Sequence, residues 1–127
     1  MPVTEPSQMN EMFARAFNSR NIDNLLALYE TSAVLRVDDS GRSITGLDAI
    51  ADKLGGLMQG PGRMTSRNNF CVANGGLALL RADWEVAGDD GSIVASGSSA
   101  EIVRRQPDGT WLYVVDHATG ASLPLVG

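Results

Sequence analysis

Residues 74–86 read NGGLALLRADWEV, and this stretch decides which fold the rest of the chain can form. Side chains alternate between the two faces of a β-strand, so these residues divide into two rows. One row is wholly apolar and consists of Leu80, Ala82, Trp84 and Val86. The opposite row is mostly charged and consists of Leu79, Arg81, Asp83 and Glu85. The stretch therefore predicts a long strand whose apolar face meets helices and whose other face meets solvent or a partner subunit.

Three further strands are predicted in the second half of the chain, at residues 64–73, 92–105 and 110–118. The segments between successive strands read NGG, DDG and PDG, which are turn sequences suited to hairpins. Strands joined by such short turns pair antiparallel. The second half therefore predicts an antiparallel meander.

The first half is predicted to contain three helices. Pro6 suits the first turn of a helix over residues 5–18. Asn21 is a suitable N-cap for a short second helix, whose apolar stripe extends to Tyr29. Apolar residues at helical spacing predict a third helix from Leu47, which the glycine-rich segment GGLMQGPG then ends.

Between the second and third helices, the sequence favours a small hairpin. Residues 33–37 predict a strand, 38–41 have turn chemistry, and 42–45 return as a short partner. Helices followed by a meander are typical of the α+β class. The length of 127 residues fits one domain over residues 1–127.

Composition excludes several functions. The net charge of -5 argues against binding to nucleic acid or anionic membranes, which depends on Lys and Arg. One cysteine and one histidine form neither an internal disulfide nor a metal site. The N-terminal residues lack a secretory pattern and no apolar run has membrane-spanning length, so we expect a cytoplasmic protein without membrane contact.

The order of these elements resembles a known family, the SnoaL-like and ketosteroid-isomerase-like proteins of the nuclear-transport-factor-like superfamily. The resemblance spans nearly the whole chain. The segments that carry it are AFNSRNIDNLLALY (16–29), GRSITGLDAI (41–50), NGGLALLRADWEV (74–86) and RRQPDGTWLYVVDHATG (104–120). It implies a cystatin-like cone, in which a curved antiparallel sheet wraps around the three helices and encloses a pocket. It also implies a homodimer formed through the outer face of the sheet.

The resemblance also allows the ketosteroid isomerase site to be compared residue by residue. The oxyanion-stabilising tyrosine of that pattern falls at Phe13, and its proton-abstracting aspartate falls at about Val37. Its second oxyanion donor, an aspartic acid, falls at Glu101. Since two of the three roles are missing, ketosteroid isomerisation itself is not expected. Members of the family differ in chemistry because their pocket residues differ.

Two carboxyl groups are the catalytic candidates. Glu101 shares a strand face with Ser99 and Val103, and the resemblance turns that face toward the pocket. A buried Glu101 would have a raised pKa and could act as a general acid, or it could instead be a solvated or Arg-paired glutamate. Asp116 could act as a general base, or it could bind a backbone N–H or an Arg at the strand end.

The last strand contains the adjacent pair Asp116 and His117, which alternation places on opposite faces. The resemblance assigns the row of Asp116 to the pocket and that of His117 to the outer, dimer-facing surface. The residues expected at the dimer interface are Arg81, Arg104, Trp111, Tyr113, Val115 and His117.

The pocket is expected to bind a small, mainly hydrophobic molecule without any cofactor or metal. The residues expected to line it are Phe13, Phe17, Leu35, Val37, Met58, Trp84, Val103, Val114 and Ala118. Two functions remain open: a cofactor-independent isomerase, cyclase or dehydratase that transfers protons, and a non-catalytic dimeric ligand-binding or association module with a vestigial pocket. The first would be contradicted by carboxylates engaged with backbone or Arg groups and by the lack of a cavity.

Overall fold

The computed structural model describes residues 2–36 and 42–122. A 3-10 turn at Pro6–Gln8 precedes three α-helices: α1 (Met9–Asn18), α2 (Ile22–Leu26) and α3 (Leu47–Leu57). The strands are β1 (Tyr29–Arg36), β2 (Ile44–Thr45), β3 (Arg63–Asn74), β4 (Leu77–Ala87), β5 (Ile93–Ser98), β6 (Ala100–Arg105) and β7 (Trp111–His117). The α+β prediction is therefore confirmed.

The strands form one open, curved sheet in the order β2-β1-β7-β6-β4-β3, and β5 pairs with the far part of β4. Neighbouring strands pair antiparallel except β1 and β7, which pair parallel. The helices pack against the inner face of this sheet, where most of the buried hydrophobic side chains form one cluster. The predicted cone is thus present, with one parallel pair in it.

The helix starts follow the predicted capping residues closely. The side chain of Asn21 accepts a hydrogen bond from the backbone N–H of Asp23 at 3.1 Å, as an N-cap does. Pro6 starts a 3-10 turn that leads into α1. The second helix is shorter than predicted, because Tyr29 lies in β1. The predicted turn at residues 38–41 lies outside the described residues.

The segment GGLMQGPG ends α3 as predicted, since the helix includes Gly55 and Gly56 and stops at Leu57. One predicted boundary is wrong. The predicted strand 92–105 is two strands, since Ser99 interrupts it. The Ser99 N–H donates to the Ala82 carbonyl at 2.8 Å, and its hydroxyl accepts from the Ala82 N–H at 3.0 Å. The side-chain oxygen replaces a backbone acceptor there, so the ladder is broken locally.

The two predicted rows of β4 are confirmed. Leu80 is 0% exposed, whereas its neighbour Leu79, which points the other way, is 47% exposed. Ala82 and Val86 are also buried on the inner face. Burial of such side chains stabilises the fold by about 1.5–3 kcal/mol each.

The face prediction for β7 is wrong in its first part. Trp111 and Tyr113 are buried, at 5% and 1% exposure, and belong to the core cluster. The cause is a β-bulge: Val103 pairs with Tyr113 and Ile102 with Val115, which leaves Val114 as an extra residue. The extra residue reverses the alternation, and Trp111 and Tyr113 are therefore not available to a dimer interface.

Candidate functional site

A cavity of about 440 Å³ lies between the helices and the inner face of the sheet. This volume is within the range of small-molecule sites. Five residues that the sequence predicts as lining do line it: Phe13, Phe17, Leu35, Trp84 and Ala118. The further apolar lining residues are Leu54, Leu57, Pro61, Met64, Val86, Val94 and Ala95.

Three predicted lining residues are not found there. Met58 and Val103 are buried in the core cluster instead. Val114, the extra residue of the bulge, is half-buried and does not belong to the described cavity wall. Val37 lies outside the described residues.

The polar centre of the cavity is the pair of carboxyl groups predicted from the sequence. Glu101 on β6 and Asp116 on β7 are directly opposite each other in the ladder and both line the cavity. They are 4% and 6% exposed. Two carboxyl groups on neighbouring strands cannot both ionise cheaply away from water, so the pair favours holding one proton.

The two carboxyl groups differ in proton affinity. Burial, and then the charge of Asp116, raise the pKa of Glu101 to about 8. Burial also raises the pKa of Asp116, to about 6, although a hydrogen bond from Tyr29 opposes the rise. At neutral pH the structure therefore favours a protonated Glu101 and an ionised Asp116.

Neutral side chains hold this pair in place. The Tyr29 hydroxyl donates to Asp116 Oδ2 at 2.5 Å, and the Asn10 amide donates to Glu101 Oε1 at 3.1 Å. The Tyr113 hydroxyl donates to Asn10 Oδ1 at 2.7 Å, which fixes the orientation of that amide. Because Asn10 donates to Oε1, the proton of a neutral Glu101 belongs on Oε2.

Burial raises the pKa of both tyrosines well above the usual value, so both remain hydrogen-bond donors. Their rings also pack together, with centroids 5.1 Å apart. The ring of Phe13 meets Tyr113 edge-on, at 81° between planes. Phe13 occupies the position of the tyrosine in the ketosteroid isomerase pattern, but the site contains two other tyrosines, Tyr29 on β1 and Tyr113 on β7.

Asn10, Tyr29 and Tyr113 were missed by the sequence reasoning. Asn10 gave a signal, because it lies on the helical stripe of Phe13 and Phe17, where a polar residue needs a partner. Tyr29 and Tyr113 gave no such signal, because their inward positions depend on where β1 begins and where the bulge in β7 lies.

The lining residues fall into two groups by exposure, from which we infer a closed end and an open end of the cavity. Asn10, Ser99, Glu101, Tyr113 and Asp116 are buried and form the closed end. The open end, here called the mouth, is lined by the exposed or half-buried residues Lys53, Leu57, Gly60, Pro61, Val94 and Ala95.

Gly60 and Pro61 of the glycine-rich segment line the mouth. The Arg20 guanidinium donates to the carbonyls of Met58, at 2.9 Å, and Gly62. Arg20 itself has a positive φ of 57°, which is uncommon for a residue with a side chain. The loop is thereby connected to the turn after α1.

The outer face of the sheet carries an unusual amount of apolar surface. Register places Val72, Leu79, Ile102, Val115 and Val34 side by side across five strands. We call this set the outer apolar row. Val72, Leu79 and Ile102 are 60%, 47% and 37% exposed.

The predicted interface residues Arg81, Arg104, Val115 and His117 do not line the cavity, in contrast to Tyr113. Val115 is in the outer apolar row, and Arg104 is paired in register with Leu77 beside it. The Arg104 guanidinium also forms an ion pair with Glu30 at 3.0 Å.

Within residues 2–36 and 42–122, no three His, Cys, Asp or Glu residues are grouped to hold a metal ion. Among the helices described, none is long and apolar enough to cross a membrane.

A curved sheet around helices with a buried polar centre defines the class of cone-shaped pocket proteins. The sequence matches the SnoaL-like domain over residues 10–119, and the chain belongs to this family. None of the curated proteins matches the sequence.

Solved structures share the fold. One of them comes from Thiobacillus denitrificans and is provisionally named a calcium/calmodulin-dependent protein kinase type II association domain. It superposes on this chain with a TM-score of 0.80 at 19% sequence identity, and the match covers 99% of both chains. A provisionally named dehydratase of the NTF2-like family from Streptomyces avermitilis gives 0.72 at 16% identity, covering 94% of this chain and 92% of that one. A provisionally named ketosteroid isomerase from Parabacteroides distasonis gives 0.68 at 18% identity, covering 84% and 80%.

Proposed function

We propose that the chain is a cofactor-independent enzyme that moves a proton on a small, mainly hydrophobic carbonyl or hydroxyl compound. The observation that carries this proposal is the pair Glu101 and Asp116, opposite each other at the closed end of an apolar cavity. Within residues 2–36 and 42–122, neither carboxyl has an arginine or a backbone group among its hydrogen-bond partners. Both conditions that would have contradicted an enzyme are therefore unmet.

The mechanism follows from the unequal proton affinities of the pair. The Asp116 carboxylate accepts a proton from the carbon next to a substrate carbonyl, and the electrons of the C–H bond move toward the carbonyl oxygen. The neutral Glu101 donates a hydrogen bond from Oε2 to that oxygen while negative charge develops on it. Asp116 then returns the proton to the same carbon of the enolate, which gives hydrogen exchange. With a β,γ-unsaturated substrate it returns the proton to the γ-carbon of the dienolate, which completes an isomerisation.

Hydrogen exchange tests this proposal without knowledge of the natural substrate. A panel of linear and bicyclic ketones in D₂O is followed by NMR, and the wild type should exchange α-hydrogens faster than buffer. Asp116→Asn should lower that rate about 10²–10⁴-fold, the usual contribution of a general base. Asp83→Asn, on the outer face of β4, is the control and should leave the rate unchanged. Exchange at the buffer rate across the whole panel would contradict an enzyme.

The second candidate function is a non-catalytic dimer, and the outer apolar row favours it. Monomeric proteins seldom expose a continuous apolar surface of this kind, because it would attract partners. Two copies related by a twofold axis would each cover the row of the other. An enzyme of this family could also be such a dimer, so the two proposals are compatible.

Ile102→Glu tests the dimer, since Ile102 lies at the middle of the outer apolar row. The variant should elute as a monomer in size-exclusion chromatography with light scattering, while the wild type is a dimer. Ile93→Glu is a matched control, because Ile93 is also exposed, at 51%, but lies on β5 outside the row. A wild type that is monomeric at micromolar concentration would contradict the proposal.

A further inference from the structure

The cavity carries opposite charges at its two ends. Glu101 and Asp116 are at the closed end, and Lys53 of α3 contributes to the mouth. Lys53 is the only lysine in the chain, since the other nine basic residues are arginines. No arginine in the described residues lines the cavity, so Lys53 provides its cationic group.

Lys53 is also not committed to a partner within residues 2–36 and 42–122. The ion pair found in these ranges joins Arg104 to Glu30, and no hydrogen bond of the Lys53 ammonium occurs there. Exposed residues that line the mouth together with it are apolar: Leu57 is 48% exposed and Val94 is 54% exposed. The Lys53 residue is half-buried, and a cation beside an apolar cavity attracts an anion that enters it more strongly than a cation surrounded by water does.

This distribution of charge orients a ligand. A carboxylate at the closed end repels the anionic end of any ligand that enters the apolar cavity, while an ammonium at the mouth attracts it. A neutral carbonyl or hydroxyl, in contrast, finds hydrogen-bond partners at the closed end. An anionic molecule is therefore favoured in one orientation only, with its charge at the mouth.

We propose that Lys53 forms an anion subsite at the mouth, and that the ligand class is an elongated apolar molecule with an anionic group at one end and a neutral carbonyl or hydroxyl at the other. The position of the reacting end rests on the proposed function. The anion subsite does not, because it requires binding only.

Two fluorescent probes with the same aromatic body test the subsite. 1-Anilinonaphthalene-8-sulfonate carries a sulfonate, and N-phenyl-1-naphthylamine lacks it. The wild type should bind the sulfonate probe, and Lys53→Met should weaken that binding about two- to fivefold, which is the scale of one solvent-exposed ion pair. Lys53→Met should leave the affinity for the neutral probe unchanged, and Lys53→Arg should retain the affinity for the sulfonate.

Two further variants locate the probes and separate the proposals. Ile102→Glu should leave both affinities unchanged, which places the probes away from the outer apolar row. Asp116→Asn should retain sulfonate binding at the mouth even though it lowers the rate of proton exchange about 10²–10⁴-fold. If the wild type shows no exchange activity but its probe binding still depends on charge, the proposed enzyme function is overturned and the anion subsite stands. Equal affinities of Lys53→Met and wild type for the sulfonate probe, or no binding of either probe, would overturn the subsite.

Discussion

The two faces of the sheet reverse the ordinary distribution of polar and apolar side chains. The inner face buries Glu101 and Asp116, at 4% and 6% exposure. The outer face exposes Leu79 and Val72, at 47% and 60%. Most sheets with one solvated face bury hydrophobic residues and expose charged ones. The outer apolar row also includes Ile102 and Val115, which adjoin Glu101 on β6 and Asp116 on β7, so the two exceptions lie back to back on these two strands.

Each reversal costs free energy, because a side chain lies in the environment that suits it less. A buried carboxyl loses hydration, and an exposed leucine gains nothing from water. On the inner face, Tyr29 and Asn10 compensate by hydrogen bonds to the two carboxyls. On the outer face, the described chain contains no element that covers the outer apolar row. The comparison teaches that the inner reversal is compensated within one chain, whereas the outer one is left for the proposed dimer to compensate.

The largest effect should come from the neighbours Leu80 and Leu79, which point to opposite faces of β4. Leu80→Ala should lower the free energy of unfolding by about 2–5 kcal/mol, because it leaves a cavity in the core. Leu79→Ala should lower it by less than about 1 kcal/mol in a monomer. Urea unfolding at low protein concentration measures both. Equal losses would show that the two faces are not distinct.

A smaller effect concerns the cost of ionising Glu101. Its folded pKa of about 8 lies above the unfolded value of 4.5, so the native state loses stability as pH rises through that interval. Glu101→Gln removes this loss. The variant should exceed the wild type in stability at pH 9 by on the order of a few kcal/mol, since one pKa unit corresponds to roughly 1.4 kcal/mol.

Urea unfolding of wild type and Glu101→Gln at pH 5 and pH 9 checks this, and the difference should shrink at pH 5. Glu85→Gln, an exposed glutamate on the outer face of β4, should show no such pH-dependent gain. A Glu101→Gln advantage that is the same at both pH values would contradict the raised pKa.

The smallest effect concerns the hydrogen bond from Tyr29 to Asp116. Donation by the hydroxyl stabilises the ionised carboxylate, so Tyr29→Phe should raise the pKa of Asp116 above about 6. A rise of about one pKa unit is expected from the loss of one hydrogen bond to a charged group. Carboxyl ¹³C NMR measures it. Tyr113→Phe is the matched control, because the Tyr113 hydroxyl donates to Asn10; an equal rise in both variants would contradict the specific bond.

Much of the fold and part of the site could be predicted from local sequence. The two rows of β4, the cap at Asn21 and the carboxyl pair Glu101 and Asp116 depend on periodicity and on the family resemblance, which short segments already contain. The inward positions of Trp111 and Tyr113 could not be predicted in this way. Alternation along β7 is interrupted by the bulge at Val114, and nothing in the sequence near it indicates an extra residue.

By itself the sequence determined the α+β class, the inner and outer rows of β4 and the candidacy of two carboxyl groups, because these follow from contacts between near neighbours along the chain. The tertiary structure alone decided that the carboxyl groups are directly opposite each other, and that Asn10 and Tyr29 hold them. It also decided that Lys53 stands at the other end of the same cavity. Asn10 and Glu101 are 91 residues apart in sequence, and Tyr29 and Asp116 are 87 apart. Contacts at such separations exist only once the sheet has curved around its helices.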